Sequence, residues 1–348
     1  MTSVKDDAQG PVRPFNVYQR ILRERLQLFL DTLHPVLRVD VLRALQETGK
    51  LFDPGQTDAD TPVPAGSWSL LTLLIALNVA PDMDPVCASS VAVAVECFIC
   101  ALDLLDDVED EDQTPIVKEL GSARVLNVST VLLTLAQRII LSIARPGFPA
   151  TYILRLLDTL QESLLVATLG QQRDLLAEQK AAQQLTAEEC IEIAAEKAGS
   201  LMRMACRMGA LSAGAGDEVC EQFSLLGQFL GISHQLDNDC HDLYYLLQGK
   251  FAAQSTDESA SFSKYSKTDL VRNKKTLPVV LAAQSGCDFH FIESADEKRA
   301  ANLHLLQEGI MATWGICLLY RERARDQLKK IEAQQFISHA LRLLLGFS

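Results

Sequence analysis

Seven carboxylates crowd the ten positions from Asp103 to Asp112 in the stretch ALDLLDDVEDEDQTP, directly after a long apolar run. Asp106, Asp107 and Asp110 are spaced i, i+1, i+4, which on a helix sets three carboxylates on one face, with Asp103 one turn earlier. Like charges this close repel, and acids at the C-terminal end of a helix oppose its dipole, so the arrangement calls for compensation. A hard divalent cation, most simply Mg²⁺, is held by a few carboxylates and completed by water and phosphate oxygens. A solvated acidic helix end is the plainer reading, and this stretch alone does not separate the two.

A second group follows the same rule. In GISHQLDNDCHDLYY (231–245), Asn238, Asp239 and Asp242 again stand at i, i+1, i+4 after an apolar helical stretch. His234 and His241 flank them, but Mg²⁺ prefers oxygen, so both read as solvent-facing or core histidines. Lysines recur at Lys197 in AAEKAGSLMRMA, Lys264 in SFSKYSKTD and Lys274 in DLVRNKKTLP. Any one of them is most simply a surface residue. Together with two acidic groups they suggest a multiply charged anion clamped between metal ions and ammonium groups.

The elements that must position these groups are helices. Strand signals are nearly absent, and helical periodicity marks segments at about 14–48, 67–80, 84–109, 116–145, 149–180, 186–214, 217–249, 269–285 and 297–332, with a short one near 334–346. Breaks fall at Pro54 to Pro64, Pro81 to Pro85, RPGFP (145–149), AGAGD (213–217) and the polar stretch from Gln254 to Lys267. Segments 86–105 and 125–144 are apolar over more than one face and belong in the middle of a large bundle. The expectation is a flexible tail over 1–13 and one all-α domain over 14–348.

Composition narrows the class. Of the 348 residues, 48% are apolar and 22% charged, enough to bury a sizeable core. A net charge of -13 argues against nucleic acid as a partner, since phosphate backbones need clustered Lys and Arg. Nine cysteines are scattered through apolar segments without an even framework, which fits a reducing cytoplasm. Cys97 and Cys100 form a CxxC inside an apolar run with no second pair near it, so buried thiols are expected rather than zinc ligands. The first residues are polar and acidic, unlike a signal peptide. Gln137 and Arg138 interrupt the greasiest stretch, so no integral membrane segment is expected.

Taken in order, the stretches resemble the trans-isoprenyl diphosphate synthases, also called polyprenyl synthetases. ECFICALDLLDDVED resembles the helix ending in the family's first DDxxD, GQQRDL (170–175) its GQxxDL, and EKAGSL its KTxxL with Lys197 kept. GISHQLDNDCHD is similar to FQxxDDxxD with Gln235 kept, and DLVRNKKTLP (269–278) to DLxxGKxTLP, with Lys264 five places before Asp269. The resemblance runs from about 65 to 330. It implies an all-α bundle of the isoprenoid synthase type in which the two acidic motifs face each other. It also implies three Mg²⁺ ions on Asp106, Asp107, Asp110, Asn238, Asp239 and Asp242, gripping an allylic diphosphate that Lys197, Lys264, Lys274 and Gln235 help to bind. Asp106, Asp107, Asp239 and Lys197 would carry the ionisation. Ala101, five places before Asp106, is small where bulky aromatics close the family's tunnel, which admits a C15 or C20 chain; Leu102 beside it narrows the space, and plain helix packing explains the pair equally well. Homodimers are the family habit.

One half of the family's site is missing. The cationic site for isopentenyl diphosphate comes from GGKxxR, a His or Gln seven places before DDxxD, and an Arg pair after it. Here Ser67 and Leu70 stand in place of Lys and Arg, Ile99 in place of the His or Gln, and Pro115 and Ile116 in place of the Arg pair. The expectation that follows is a terpene synthase, which ionises one allylic diphosphate and converts the cation to a terpene. Its weak support from Asn238 is offset because Asp242 and Leu246 occupy the Ser and Glu places of the cyclase motif. The alternatives are prenyl transfer to an acceptor without a diphosphate, chain elongation with a second site rebuilt from Arg124, Arg138 or Arg173, and a non-catalytic subunit of a synthase.

Overall fold

A computed structural model of the chain describes residues 15–48, 67–144, 149–252, 274–289 and 296–347. Among them every regular element is a helix, as the periodicity predicts. The expected tail over 1–13 and Lys264 lie outside the described residues. Contacts divide the chain into two compact units. One comprises the chain up to Leu156, with Met208–Ala215 and the chain from Phe336 onward; the other comprises Leu157–Arg207 and Gly216–Gln335. Each unit draws on segments remote in sequence, so no single cut separates them.

The first unit is organised around α4 (Pro85–Glu109), after α1 (Asn16–Leu30), α2 (Pro35–Glu47) and α3 (Trp68–Val79). Asp84 starts α4 by accepting a hydrogen bond from the Val86 amide at 3.0 Å, with Pro85 in the first turn, where its missing N–H costs nothing. From Cys87 to Ala101 every residue of α4 is buried, and α3 is buried from Ser69 to Ala76. Apolarity on all sides is what a central helix requires. By length and hydropathy alone, α4 and α6 (Ser122–Ser142) could cross a bilayer, but 83% of the apolar window of α4 is buried inside the protein, against 44% for α6. α6 follows α5 (Pro115–Leu120) and offers one face, with Val125, Val128, Leu132, Leu135 and Ile139 at helical spacing. Asn78 closes the unit, donating from Nδ2 to the Phe336 carbonyl at 3.0 Å and accepting from the Ser338 amide at 2.8 Å.

The second unit takes the C-terminal part of α7 (Ala150–Glu178), then α8 (Ala187–Ala194), α9 (Ser200–Ser212) up to Arg207, α10 (Asp217–Ala252), α11 (Leu277–Gln284) and α12 (Asp296–Glu332). Helix α13 (His339–Leu344) belongs to the first unit. A capping box starts α8: Thr186 accepts from the Glu189 amide at 3.1 Å while Glu189 accepts from the Thr186 amide at 2.8 Å. α10 packs on α12, where the Ser233 hydroxyl donates to the Cys317 carbonyl at 3.2 Å.

Three expected helices are each divided. The predicted 14–48 segment breaks before Pro35, where His34 caps α2 by accepting from the Val36 amide at 3.3 Å. The predicted 116–145 segment breaks at Gly121, whose φ is 76°. The predicted 186–214 segment is interrupted by a π turn over Ala195–Gly199, and α11 begins only at Leu277 after the Thr276 N-cap.

Candidate functional site

The first acidic group closes α4 in the first unit. The Asp110 amide donates to the Asp106 carbonyl at 2.8 Å, and the Asp112 amide donates to the Asp107 carbonyl at 2.7 Å. Between them Glu111 takes φ 56°, a conformation that non-glycine residues adopt at a cost and that concentrates at functional sites. Asp107 and Asp110 are buried and Asp106 is half-buried; Thr114, the residue before α5, donates to Asp107 Oδ2 at 3.2 Å. The donors offered here are oxygens, the chemistry Mg²⁺ takes. Among the described residues no three His, Cys, Asp or Glu side chains are gathered into a ready metal cage. The fit to Mg²⁺ is therefore one of donor type. Ala101 is buried and Leu102 half-buried further down α4.

The positions where cations are replaced all lie in this unit, and all but the half-buried Pro115 are inside its core. Ser67 is 3% exposed, Leu70 0%, Ile99 4% and Ile116 0%. Pro115 and Ile116 open α5, so the segment that would carry an Arg pair is a helix start packed inward. The Ser67 hydroxyl is buried and has no hydrogen-bond partner among the described residues.

The second unit holds the lysines. Lys197 projects from the π turn, a feature frequent at functional sites. Two glycines admit that turn: a Cβ on Gly170 of α7 would lie 2.8 Å from the Lys197 amide nitrogen, and one on Gly231 of α10 would lie 2.4 Å from the Ala198 carbonyl oxygen. Only a residue without Cβ lets backbones approach this closely. Asp174, one turn after Gly170, is the anchor, with Oδ2 at 2.8 Å from Lys197 Nζ and 4.0 Å from Lys274 Nζ. Ammonium groups gathered on one carboxylate are the kind of donors a polyanion takes. Gln235 donates from Nε2 to Asp239 Oδ1 at 2.9 Å; Asp239 is buried, Asp242 half-buried and Asn238 exposed. Arg173 pairs with Glu196 at 3.0 Å and Glu192 at 3.3 Å, flanking the turn. Burial pushes the Glu196 carboxyl up, against the pull of Arg173 and with a smaller push from Glu192. Next to the lysines in sequence, the Thr276 hydroxyl is buried with no hydrogen-bond partner among the described residues.

His241 is exposed, lies 3.6 Å from the Asp237 carboxylate and meets Trp314 edge-on at 5.9 Å, consistent with a surface role. All nine cysteines are buried and none forms a disulfide; burial pushes the Cys97 and Cys100 thiols up, which makes them unreactive as free nucleophiles. Asp174, Thr276 and the two glycines received no role from sequence spacing. Asp174 and Gly170 were present in the GQQRDL motif, but the partners that give them a role are 23 or more residues away.

A profile of the polyprenyl synthetase family matches residues 68–308. The chain belongs to this family. The tryptophan prenyltransferase ComQ of Bacillus spizizenii is 32% identical over 157 residues, 44% of this chain and 50% of the relative, so the chain spans about half the length of that curated relative. The nonaprenyl diphosphate synthase of Mycobacterium tuberculosis is 26% identical over 274 residues, 74% of this chain and 75% of the other. In fold, the chain is similar to a solved polyprenyl synthase of Caulobacter crescentus in complex with calcium and isoprenyl diphosphate. The TM-score is 0.71 at 20% identity, with 99% of this chain and 98% of the other covered. The all-α isoprenoid synthase fold is thus established. The relatives' names favour prenyl transfer over the cyclisation expected from the sequence.

Proposed function

We propose that this chain, as one catalytic domain, takes the prenyl group of an allylic diphosphate, C15 or C20, and transfers it to an acceptor that carries no diphosphate, such as a peptide side chain or a small molecule. The observation that carries the reading is the burial of Ser67, Leu70, Ile99 and Ile116. A second diphosphate needs charge-assisted contacts, and these core positions offer none. Two of the arginines that could have rebuilt such a site are committed elsewhere: Arg124 to Asp40 at 2.6 Å, and Arg173 to Glu192 and Glu196. The likeness to a tryptophan prenyltransferase supports a nucleophile of another kind.

By the family habit, three Mg²⁺ ions would be held by Asp106, Asp107, Asp110, Asn238, Asp239 and Asp242. Bound Mg²⁺ would withdraw charge from the diphosphate oxygens. Lys197 and Lys274, preset by Asp174, donate to those oxygens as the allylic C–O bond breaks and its electron pair leaves with the diphosphate. The acceptor then forms a bond to the allylic carbon and gives up its proton. The buried apolar run of α4 excludes water from the cation, with Ala101 and Leu102 as the length-setting pair. We further place the protein in the cytoplasm, as a homodimer.

Cyclisation would use the same half-site without an acceptor, and a single experiment separates the outcomes. The protein is incubated with Mg²⁺ and farnesyl or geranylgeranyl diphosphate, alone and with a tryptophan-containing peptide, and products are read by mass spectrometry. The proposal expects a prenylated acceptor. A hydrocarbon or alcohol from the diphosphate alone, with the peptide untouched, points to a terpene synthase. A product five carbons longer, formed only with isopentenyl diphosphate, points to an elongating enzyme.

A further inference from the structure

Two ion pairs of opposite polarity stand side by side in the second unit. On α7, Arg173 precedes Asp174; on the π turn, Glu196 precedes Lys197. Arg173 Nη1 meets Glu196 Oε1 at 3.0 Å, and Asp174 Oδ2 meets Lys197 Nζ at 2.8 Å. Arg173 also reaches Glu192 of α8 at 3.3 Å, so its guanidinium spans the junction between the α-helix and the π turn. The backbones are close behind the pairs: a Cβ on Gly170 would lie 2.8 Å from both the Glu196 Cβ and the Lys197 amide nitrogen. Just beyond the turn, the buried Ser200 hydroxyl donates to the Glu196 carbonyl at 2.5 Å.

The Glu196 carboxylate depends on Arg173. Its side chain is 18% exposed against 44% for the arginine, and its Oε2 is buried with no hydrogen-bond partner among the described residues. Burial pushes this carboxyl up, and the guanidinium is what opposes that. Glu192 stands four residues before Glu196, where like charges repel on a helical surface. Without Arg173, Glu196 would relieve its desolvation by taking a proton or by turning out toward water. A residue bonded directly to Lys197 cannot turn out without moving Lys197. The same holds at the other end, since Arg173 and Asp174 share a peptide bond on one helix. Each pair therefore holds the groups of the other in place.

We propose that Arg173 and Glu196 are positioning residues for the diphosphate grip: their ion pair holds the π turn against α7, and so keeps the Lys197 ammonium on Asp174, ready for a diphosphate oxygen. The assignment rests on the reading of Lys197 as a diphosphate ligand. It gives Arg173, a cation that sequence spacing leaves open for a second anion, a different task, exercised through the turn and without contact to the substrate.

The test is a double-mutant cycle on the full chain, read by calorimetric titration with inorganic diphosphate in Mg²⁺ and by melting temperature. Arg173→Gln and Glu196→Gln are each expected to weaken diphosphate binding about five- to tenfold, with the melting temperature nearly unchanged. The double variant should bind no worse than the weaker single one, because the pair is broken only once, and Arg173→Lys should retain most of the affinity. Tighter binding by Glu196→Gln, with weaker binding by Arg173→Gln, would make Arg173 itself the anion's ligand and overturn the proposal. Losses that multiply in the double variant, or unchanged affinity beside a lowered melting temperature, overturn it as well. Because the titration needs no turnover, it fails separately from the transfer reading. Prenylation of an acceptor by a protein whose diphosphate affinity ignores both substitutions leaves transfer standing and the positioning role refuted. Failure of the unaltered protein to bind diphosphate refutes both.

Discussion

The two units have treated the family's cationic positions in opposite ways. In the second, Lys197 and Lys274 are retained and share the carboxylate of Asp174, and Gln235 is bonded to Asp239. In the first, the positions of a second cationic site have become core: Leu70 and Ile116 are fully buried, and Ile99 nearly so. Keeping a polar network half-buried costs desolvation that only a ligand repays, whereas converting a cationic site to core returns roughly 1.5–3 kcal/mol for each large apolar side chain buried. Under the proposed function, a chain that retained the first and converted the second would keep the grip on one diphosphate and give up the other.

The largest effect should come from removing what the acidic groups hold. Chelation with EDTA, or Asp106→Ala or Asp239→Ala, is expected to lower diphosphate release by about a thousandfold or more, measured with farnesyl or geranylgeranyl diphosphate and restored after chelation by Mg²⁺. Turnover that survives chelation would remove the metal from the comparison altogether.

Next in size is an attempt to reverse the conversion in the first unit. Ile116→Arg places a guanidinium where the native side chain is 0% exposed, and it should cost at least about 3 kcal/mol of stability in a denaturant titration. Should the variant prove as stable as its parent and bind isopentenyl diphosphate, the region is a latent anion site and the contrast between the units collapses.

A smaller effect sharpens the other side. Asp174→Asn leaves Lys197 and Lys274 in place but takes away the charge that orients them, and a misplacement of about 1 Å in such a group can cost about a hundredfold in rate. Diphosphate release is expected to fall roughly ten- to a hundredfold, with KM for the allylic diphosphate rising and the melting temperature nearly unchanged. A large drop in melting temperature at constant activity would recast Asp174 as a structural ion-pair residue.

What the sequence could and could not disclose follows from the same contrast. The central helix α4 was legible because its apolarity runs around the helix, and the acidic groups because i, i+1, i+4 is a local spacing. The dismantled site was legible too, as residue types at motif positions. The divided helices were not: a capping role for His34 and a π turn at Ala195–Gly199 depend on backbone geometry that periodicity averages over. Asp174 was hidden for a different reason. Its meaning lies in contacts to Lys197 and Lys274, 23 and 100 residues away, and no local pattern encodes them.

The smallest expected effect bears on the remaining route to a second diphosphate. Arg124 is among the cations near the first unit's surface that sequence alone could not place, and it donates from both Nε and Nη2 to Asp40. A pair this exposed on the arginine side contributes on the order of 1 kcal/mol or less. Arg124→Ala should therefore shift stability by no more than that and leave the KM for the allylic diphosphate unchanged, because its guanidinium is already occupied by a carboxylate. Were the variant instead to lose an activity seen only with isopentenyl diphosphate, Arg124 would have to leave Asp40 during the reaction, and the first unit would own a second anion site assembled from surface residues in place of the buried ones.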